Sequence, residues 1–402
     1  MAIPFLPPFV RELGIEDEKA VLVWAGWLST AAGFVMAITA PMWGSLADRY
    51  GRKLMVMRSM FGSVLVIGAM AYVQDVHQLL ALRMLQGLLS GTVAASVALV
   101  SSVVPTRRAG FALGLMHTAT YIGHSFGPFI GGLMAYNYGL RLPFSGAAIA
   151  LLVGGLLTAV FVHEDFDPDE MANGNGEACT LVQMVRLRGF VTMAGLLFGV
   201  MFAGSFVAPI LPLYIEQLSG GDPAGATKLT GYIMGLSGVA AAISATILGR
   251  MGDRLGYGRV LGACTLLTGL TLLPQAFVQT PTQLLICRLL SSFAGAGTIP
   301  ATNALIRHIV PRHACGKAFG LTQTLSCLGW GIGPLVGGTL AAQFGMATSF
   351  FVVGLGFIAI SGVVMWKMPA LMVHIDKLRA IAEDAERSAE AKDVACEQQA
   401  ST

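Results

Sequence analysis

The feature that most constrains this chain is a series of apolar stretches, each about as long as a membrane is thick. A helix needs about 20 predominantly apolar residues to cross the hydrocarbon core, and eleven stretches meet this requirement. They are Leu22–Leu46, Leu54–Val73, Leu79–Val104, Gly110–Ala135, Pro143–Val162, Phe190–Ile215, Leu229–Leu248, Val260–Val278, Gln283–Ile306, Ala318–Ala342 and Ala347–Trp366. Because lipid offers the backbone no hydrogen-bond partners, only helices and closed barrels span it. Stretches of this length therefore predict an all-α membrane protein with eleven full spans.

Composition argues against the soluble classes. Of the 402 residues, 55% are hydrophobic and 12% are charged, whereas a soluble domain carries about 25% charged residues. The net charge of +3 is too small to indicate a nucleic-acid partner. The six cysteines form no CxxC pair and several lie in apolar runs, so neither a disulfide nor a metal site is expected. Because GxxxxGK[ST] and HExxH are both absent, we expect neither an enzyme nor an ATP-driven pump.

Lysine and arginine placement predicts the orientation. The basic loops hold Arg49, Arg52, Lys53, Arg107, Arg108, Arg186, Arg188, Arg250, Arg254, Arg259, Arg307, Arg312 and Lys317. The loops between them hold little beyond Arg11, Lys19, Arg141 and Lys228. By the positive-inside rule the basic loops face the cytoplasm, and the C-terminus lies on the same side.

The two halves of the chain are a repeat. A shift of 205 or 206 positions aligns Pro4-Phe-Leu-Pro7 with Pro209-Ile-Leu-Pro212, Arg83 with Arg288, and Gly127-Pro128-x-x-Gly131-Gly132 with Gly333-Pro334-x-x-Gly337-Gly338. One register over so many positions predicts two pseudo-symmetric six-helix bundles, residues 1–162 and 189–368. Residues 163–188 form a cytoplasmic linker and residues 369–402 a cytoplasmic tail. Such parallel repeats are typical of transporters that rock one half against the other.

The repeat also indicates a missing helix. About nineteen apolar residues precede Pro209, but only three precede Pro4. We therefore expect this chain to begin near the end of its first helix, at an internal methionine of a twelve-span protein. An in-frame stop codon immediately upstream in the gene would contradict this expectation.

A glycine-rich loop between the first two full spans carries a resemblance to a known family. Gly44-Ser-Leu-Ala-Asp48-Arg49-Tyr-Gly51-Arg52-Lys53, with a partial copy at Asp253 and Arg254, resembles the loop signature of the major facilitator superfamily. The resemblance implies a latch that holds the cytoplasmic side shut. The copy departs from the pattern because Tyr257-Gly258 precedes Arg259. The alternative is a tight basic turn that only sets topology.

A second motif resembles the one that marks the antiporters of the family: Gly123-x-x-x-Gly127-Pro128-x-x-Gly131-Gly132. The resemblance implies export rather than uptake. Glycines four apart share one helix face and permit a close crossing, so ordinary packing is the alternative.

Two arginines and a histidine are candidates for proton coupling. Arg83 lies within a span, where a charge costs about 2.5–3.5 kcal/mol on insertion scales, and Arg288 is its repeat mate. Family resemblance implies a part in proton transfer for Arg83, whereas the alternative is a side chain that reaches the membrane surface. His124 titrates near neutral pH and shares a helix face with His117 and Tyr121. Hydrogen bonding within the bundle explains these side chains equally well, and no Asp or Glu lies near the middle of a span.

The substrate cavity and its outer gate are predicted from the fold that the resemblance implies. The cavity wall is expected to hold Phe5, Phe9, Met84, Gln86, His117, Tyr121, Met201, Phe202 and Phe206. Lipid-facing or packing positions are the alternative for these side chains. The 205 shift places Arg11 opposite Glu216, so an ion pair is expected at the outer gate. Two solvated charges are the alternative, and exposed pairs contribute only about 0–1 kcal/mol.

Nearly the whole chain resembles the bacterial twelve-span drug:proton antiporters of the multidrug-resistance MdtG type. The resemblance implies a monomer in the bacterial inner membrane that exports small hydrophobic or amphipathic molecules in exchange for protons. No cofactor beyond the proton gradient is expected. A nutrient or metabolite symporter of the same fold and an inactive truncated transporter are the alternatives.

Overall fold

The computed structural model describes residues 1–92, 95–96, 99–100, 104, 106–164, 190–309 and 315–367. The helices of the first half are α1 (Leu6–Glu12), α2 (Glu18–Tyr50), α3 (Arg52–Met70), α4 (Val76–Leu89), α5 (Thr106–Tyr138) and α6 (Leu142–Phe161). Those of the second half are α7 (Phe190–Phe206), α8 (Leu211–Leu218), α9 (Pro223–Leu255), α10 (Tyr257–Leu272), α11 (Pro281–Gly295), α12 (Thr298–Ile309), α13 (Cys315–Phe344) and α14 (Met346–Lys367). Two short 3₁₀ helices, Ile3–Phe5 and Leu273–Phe277, complete the regular structure of this part of the chain.

The helices confirm the predicted all-α membrane fold. Within the described ranges, 9 helical segments are long and apolar enough to cross a membrane. Each covers one of the predicted stretches. Helix α5 covers a tenth, Gly110–Ala135, although its sequence is not among those nine. The remaining stretch, Leu79–Val104, begins in α4 and continues into residues that are partly outside the described part.

Helix boundaries repeat in the register that the sequence predicts. Helices α2 and α9 are both 33 residues long, and each begins after an aspartate whose carboxylate accepts a backbone N–H of the first turn, Asp17 and Asp222. Both helices end at a glycine with positive φ, Gly51 at 93° and Gly256 at 91°. Only glycine adopts this conformation without strain. The duplication therefore extends from sequence to the turn that follows the first long helix of each half.

The start of the chain matches only the end of its repeat mate. Helix α1 begins at Leu6 and α8 at Leu211, which again is a shift of 205. Before α8 lies α7, with 17 residues, whereas before α1 lies one 3₁₀ turn. Within the repeat, α8 is thus the counterpart of α1.

Four long helices carry the contact between the halves. Helix α2 of the first half crosses α13 of the second, and α9 of the second crosses α5 of the first, in the two most extensive helix interfaces. Helix α13 also packs on α7 of its own half. Glycines line these crossings. Because lipid tails are themselves apolar, burying apolar side chains between helices in a membrane contributes little free energy. Small residues instead let the backbones approach closely and make van der Waals contact.

Candidate functional site

The molecule has two ends that the sequence distinguishes. Helices α2 and α9 both run from an end that carries Arg11 and Glu216 to an end that carries the turns at Gly51 and Gly256. We call these the Arg11 end and the Gly51 end. Any passage between the halves must connect them.

An ion pair joins the two halves at the Arg11 end. Arg11 Nη1 donates to both carboxylate oxygens of Glu216, at 2.6 Å and 2.7 Å. The side chains are 30% and 15% exposed, so water screens the pair only in part. The structure therefore joins the two residues that the repeat placed opposite each other, one on α1 and one on α8.

A second ion pair, which sequence analysis missed, holds α1 to its own half. Arg141 Nε donates to Glu12 Oε1 at 2.9 Å, and Arg141 Nη1 donates to the carbonyl oxygen of Ala71 at 2.9 Å. Arg141 lies in the turn before α6 and Ala71 at the end of α3. Two adjacent charged residues of α1 therefore make contacts in different halves. Arg11 pairs with Glu216 of the second half, whereas Glu12 pairs with Arg141 of its own half. Glu12, the acidic residue next to Arg11 in the sequence, was the signal that could have indicated this second pair.

The glycines of α2 show where the halves touch. A Cβ built at Gly26 would lie 2.8 Å from the carbonyl oxygen of Pro334, and one at Gly33 would lie 2.6 Å from the Cα of Gly331. Thr30, between them, donates a hydrogen bond to the carbonyl oxygen of Gly331 at 2.5 Å. At Gly44, nearer the Gly51 end, no described atom lies within 4 Å of such a Cβ. Among the described residues, the halves therefore meet from the Arg11 end to mid-span.

The second crossing repeats this arrangement. A Cβ built at Gly231 would lie 3.0 Å from the carbonyl oxygen of Pro128, and one at Gly238 would lie 2.7 Å from the Cα of Ser125. At Gly249, the mate of Gly44, no described atom is within 4 Å. In both crossings, the close contacts among the described residues lie toward the Arg11 end.

The structure describes only part of the predicted latch, which stays a prediction. Gly44, which was expected to let a neighbouring helix approach, is exposed, and no described atom lies within 4 Å of a Cβ built there. Arg49 lies over the ring of Tyr50, 5.5 Å from its centroid. Arg254 is exposed at the end of α9. The side chains of Asp48 and Asp253, and those of the cavity candidates His117 and Tyr121, lie outside the described part of the structure.

The glycines of the predicted antiporter motif are packing surfaces in α5. A Cβ at Gly131 would lie 2.5 Å from the carbonyl oxygen of Met1, and one at Gly132 would lie 2.9 Å from the Cα of Gly231. Gly127 also faces Met1, whereas Gly123 has no described atom within 4 Å. Of these glycines Gly132 lies at a close helix crossing, Pro128 lies inside the same helix, and the role of the motif in export stays a prediction.

Arg83 is buried within its own half. It is 3% exposed, and its Nε donates to the carbonyl oxygen of Leu28 in α2 at 3.0 Å. Its Nη1 donates to Gln86 Oε1 at 2.5 Å. The guanidinium therefore bonds to α2 instead of reaching the membrane surface. The Nε of Arg288, its mate, is buried and has no hydrogen-bond partner among the described atoms.

Three aromatic residues predicted for the cavity wall are core residues in this structure. Phe5 and Phe9 are 0% exposed and Phe206 is 2% exposed. Phe9 packs on Phe144 with ring centroids 5.0 Å apart. All three rings are thus buried in this structure, and a place in the cavity wall stays a prediction for them.

The remaining cavity candidates are more accessible. Met84 on α4 is 46% exposed and His124 on α5 is exposed. Gln86, Met201 and Phe202 are partly buried. Exposure here does not distinguish the passage from the lipid-facing surface, so the cavity wall stays a prediction for these side chains.

Sequence analysis also missed an arginine inside the span Leu54–Val73. The Arg58 guanidinium lies over the ring of Trp43, 3.3 Å from its centroid, and Trp43 Nε1 donates to the carbonyl oxygen of Leu88 at 2.7 Å. These contacts join α2, α3 and the end of α4. A charge within an apolar run was the signal that could have found it. In the part of the chain that the structure describes, no group of three His, Cys, Asp or Glu residues could hold a metal ion.

Comparison with known proteins settles the family. The family model described as Major Facilitator Superfamily matches residues 1–230 and 193–391, so it covers both halves of the repeat. The chain belongs to the major facilitator superfamily. Among curated major facilitator proteins it is 38% identical to Multidrug resistance protein MdtG of Yersinia enterocolitica over 356 residues, 88% of this chain and 85% of that protein. MdtG of Salmonella dublin is 36% identical over 369 residues, 91% of this chain and 90% of that protein.

Solved major facilitator structures share the fold at low identity. A D-xylose-proton symporter superposes with a TM-score of 0.73 at 16% identity, covering 90% of this chain and 91% of that one. The human organic anion transporter MFSD10 superposes with a TM-score of 0.68 at 18% identity, covering 90% and 89%. These likenesses establish the major facilitator fold, and the chain is a multi-pass membrane transporter protein by family.

Proposed function

We propose that this chain exports small hydrophobic or amphipathic molecules in exchange for protons by alternating access. The observation that carries the proposal is the ion pair between Arg11 and Glu216, which joins the two halves at one end of the molecule. A transporter that exposes one site to each side in turn needs a gate of this kind at each end. The relatives named as multidrug resistance proteins support an exported drug as the cargo.

The orientation follows from the basic loops. The turns at Gly51 and Gly256 carry arginines and lysine, so the positive-inside rule assigns the Gly51 end to the cytoplasm. The ion pair of Arg11 and Glu216 then lies on the outer side, where we propose that it forms the outer gate. We place the protein in the bacterial inner membrane with both termini of the linker and the C-terminus on the cytoplasmic side.

Proton coupling is proposed for Arg83, His124 and Arg288. None of the candidate spans holds an Asp or Glu near its middle, so histidine is the available group that titrates near neutral pH. Arg83 and Arg288 supply buried positive charge that responds to a proton nearby. The rocking motion would then close the latch at the cytoplasmic end, with Asp48 against the N-terminal end of α13.

The experiment is drug accumulation in an efflux-deficient bacterial host, with and without an uncoupler that dissipates the proton gradient. We expect cells that carry the chain to retain less drug, and we expect the uncoupler to abolish the difference. Export that resists the uncoupler would indicate another energy source. Uptake of a nutrient down the proton gradient would indicate a symporter, and no transport in either direction would indicate an inactive chain.

A further inference from the structure

Helices α3 and α6 are joined at the Gly51 end by groups that the sequence assigned to different parts of the molecule. Lys53 belongs to the latch motif, whereas Glu164 belongs to the linker. Glu164 Oε1 accepts the backbone N–H of Arg52 at 3.1 Å, and its Oε2 accepts that of Lys53 at 2.7 Å. In return, Lys53 Nζ donates to the carbonyl oxygen of Ala159 at 3.0 Å. We call these contacts the 53–164 clasp.

The clasp caps both helices at once. Helix α3 follows Gly51, which has no side chain to cap it, and its first turn holds no acidic residue. The first N–H groups of a helix lack partners and carry partial positive charge, and Glu164 supplies both acceptor and negative charge. The last turn of α6 likewise holds no basic residue. Lys53 supplies the cation there, so each helix end is neutralised by a group from the other.

The clasp is present in one half of the repeat alone. The repeat mate of Glu164 is Pro369 or Ala370, so the second half has no acidic residue at that position, and the mate of Lys53 is Gly258 or Arg259. Helix α10 nevertheless forms after Gly256 without a side-chain cap. The fold therefore does not require the clasp. The clasp occurs in the half whose latch motif, Gly44 to Lys53, is complete.

We infer that Glu164 is a positioning residue of the cytoplasmic latch, an inference that rests on the proposed function. It fixes the start of α3, so that the turn at Gly51 holds the end of α2, with Asp48 and Arg49, in one place when the halves close. Glu164 is the second residue of the linker. Through Glu164 the linker is anchored to the gate.

The test is Glu164→Gln in the full chain, which keeps the size of the side chain and removes its charge. We expect the maximal export rate, per amount of membrane-inserted protein, to fall about threefold or more, since one helix-terminus charge interaction is lost. KM should stay within a factor of about two, because Glu164 is far along the chain from the cavity residues.

A second readout uses Gly44→Cys in a background without the six native cysteines. A membrane-impermeant maleimide should label Gly44→Cys faster in the Glu164→Gln background, because the latch closes less often.

Two matched variants make the test specific. Glu164→Asp keeps the carboxylate and should recover most of the rate, whereas Asp165→Asn removes the same charge one residue later and should leave both readouts unchanged. Equal export and labelling in Glu164→Gln and the parent would overturn the inference, as would equal losses in Glu164→Gln and Asp165→Asn. Absence of export in the parent would instead contradict the proposed function, and the labelling readout would still report on the clasp.

Discussion

Gly33→Val should reduce export about tenfold and lower the stability of the protein in detergent. A Cβ at this position would lie 2.6 Å from the Cα of Gly331, which cannot move aside as a flexible side chain can. Overpacking a tight contact costs about 1–3 kcal/mol, and here the strain falls on the crossing that joins the halves. Gly33→Ala should lie between the parent and valine. Transport in vesicles and thermal unfolding measure the two effects.

The control for this prediction is Gly356→Val in α14, because no described atom lies within 4 Å of a Cβ there. The same substitution at a glycine that also lies in a membrane-spanning helix, but has no close neighbour, should be tolerated. If Gly33→Val exports as well as Gly356→Val, the crossing of α2 and α13 is not the close contact on which transport depends.

Reversing the charge of either partner in the outer ion pair should reduce export about tenfold, and reversing both should restore it. Arg11→Glu places two carboxylates in contact and Glu216→Arg places two guanidiniums in contact, so the Arg11 end fails to close. The double variant rebuilds an ion pair of opposite sense. Like charges placed in contact at an interface cost several kcal/mol, so the single variants should show a large effect. Initial rates of drug efflux measure it.

The neighbouring ion pair of Arg141 and Glu12 is the matched control, because it lies at the same end but within one half. Reversal of Glu12 or Arg141 should affect protein yield more than the rate per molecule. No recovery in the Arg11 and Glu216 double variant, at normal yield, would contradict the gate.

The repeat made much of this architecture predictable from sequence. The 205 shift gave the ends of α2 and α9, the turns at Gly51 and Gly256, and the partners Arg11 and Glu216, because duplicated units keep the spacing that sets helix length and register. Hydropathy predicted the spans for a different reason, because lipid permits few structures other than an apolar helix.

Contacts that break the symmetry could not be predicted in this way. Glu164 reads as a solvated linker acid, because nothing local shows that the end of α6 lies beside the start of α3. Phe9 was assigned to the cavity from the fold, but side-chain direction depends on how α1 packs, which the repeat does not specify. Arg58 was overlooked because apolar neighbours dominate its span. Its stacking on Trp43 depends on tertiary structure and could not be found from sequence.

The most direct test of alternating access is to tie the outer gate shut. Arg11→Cys with Glu216→Cys, in a background without native cysteines, would be joined by a short bifunctional thiosulfonate reagent that a reductant removes. The account predicts that the joined protein exports nothing and that the reductant restores the rate of the unjoined double variant, while each single-cysteine variant is unaffected by the reagent. Full export by the joined protein would contradict the account, because the passage would then not need to open at the Arg11 end.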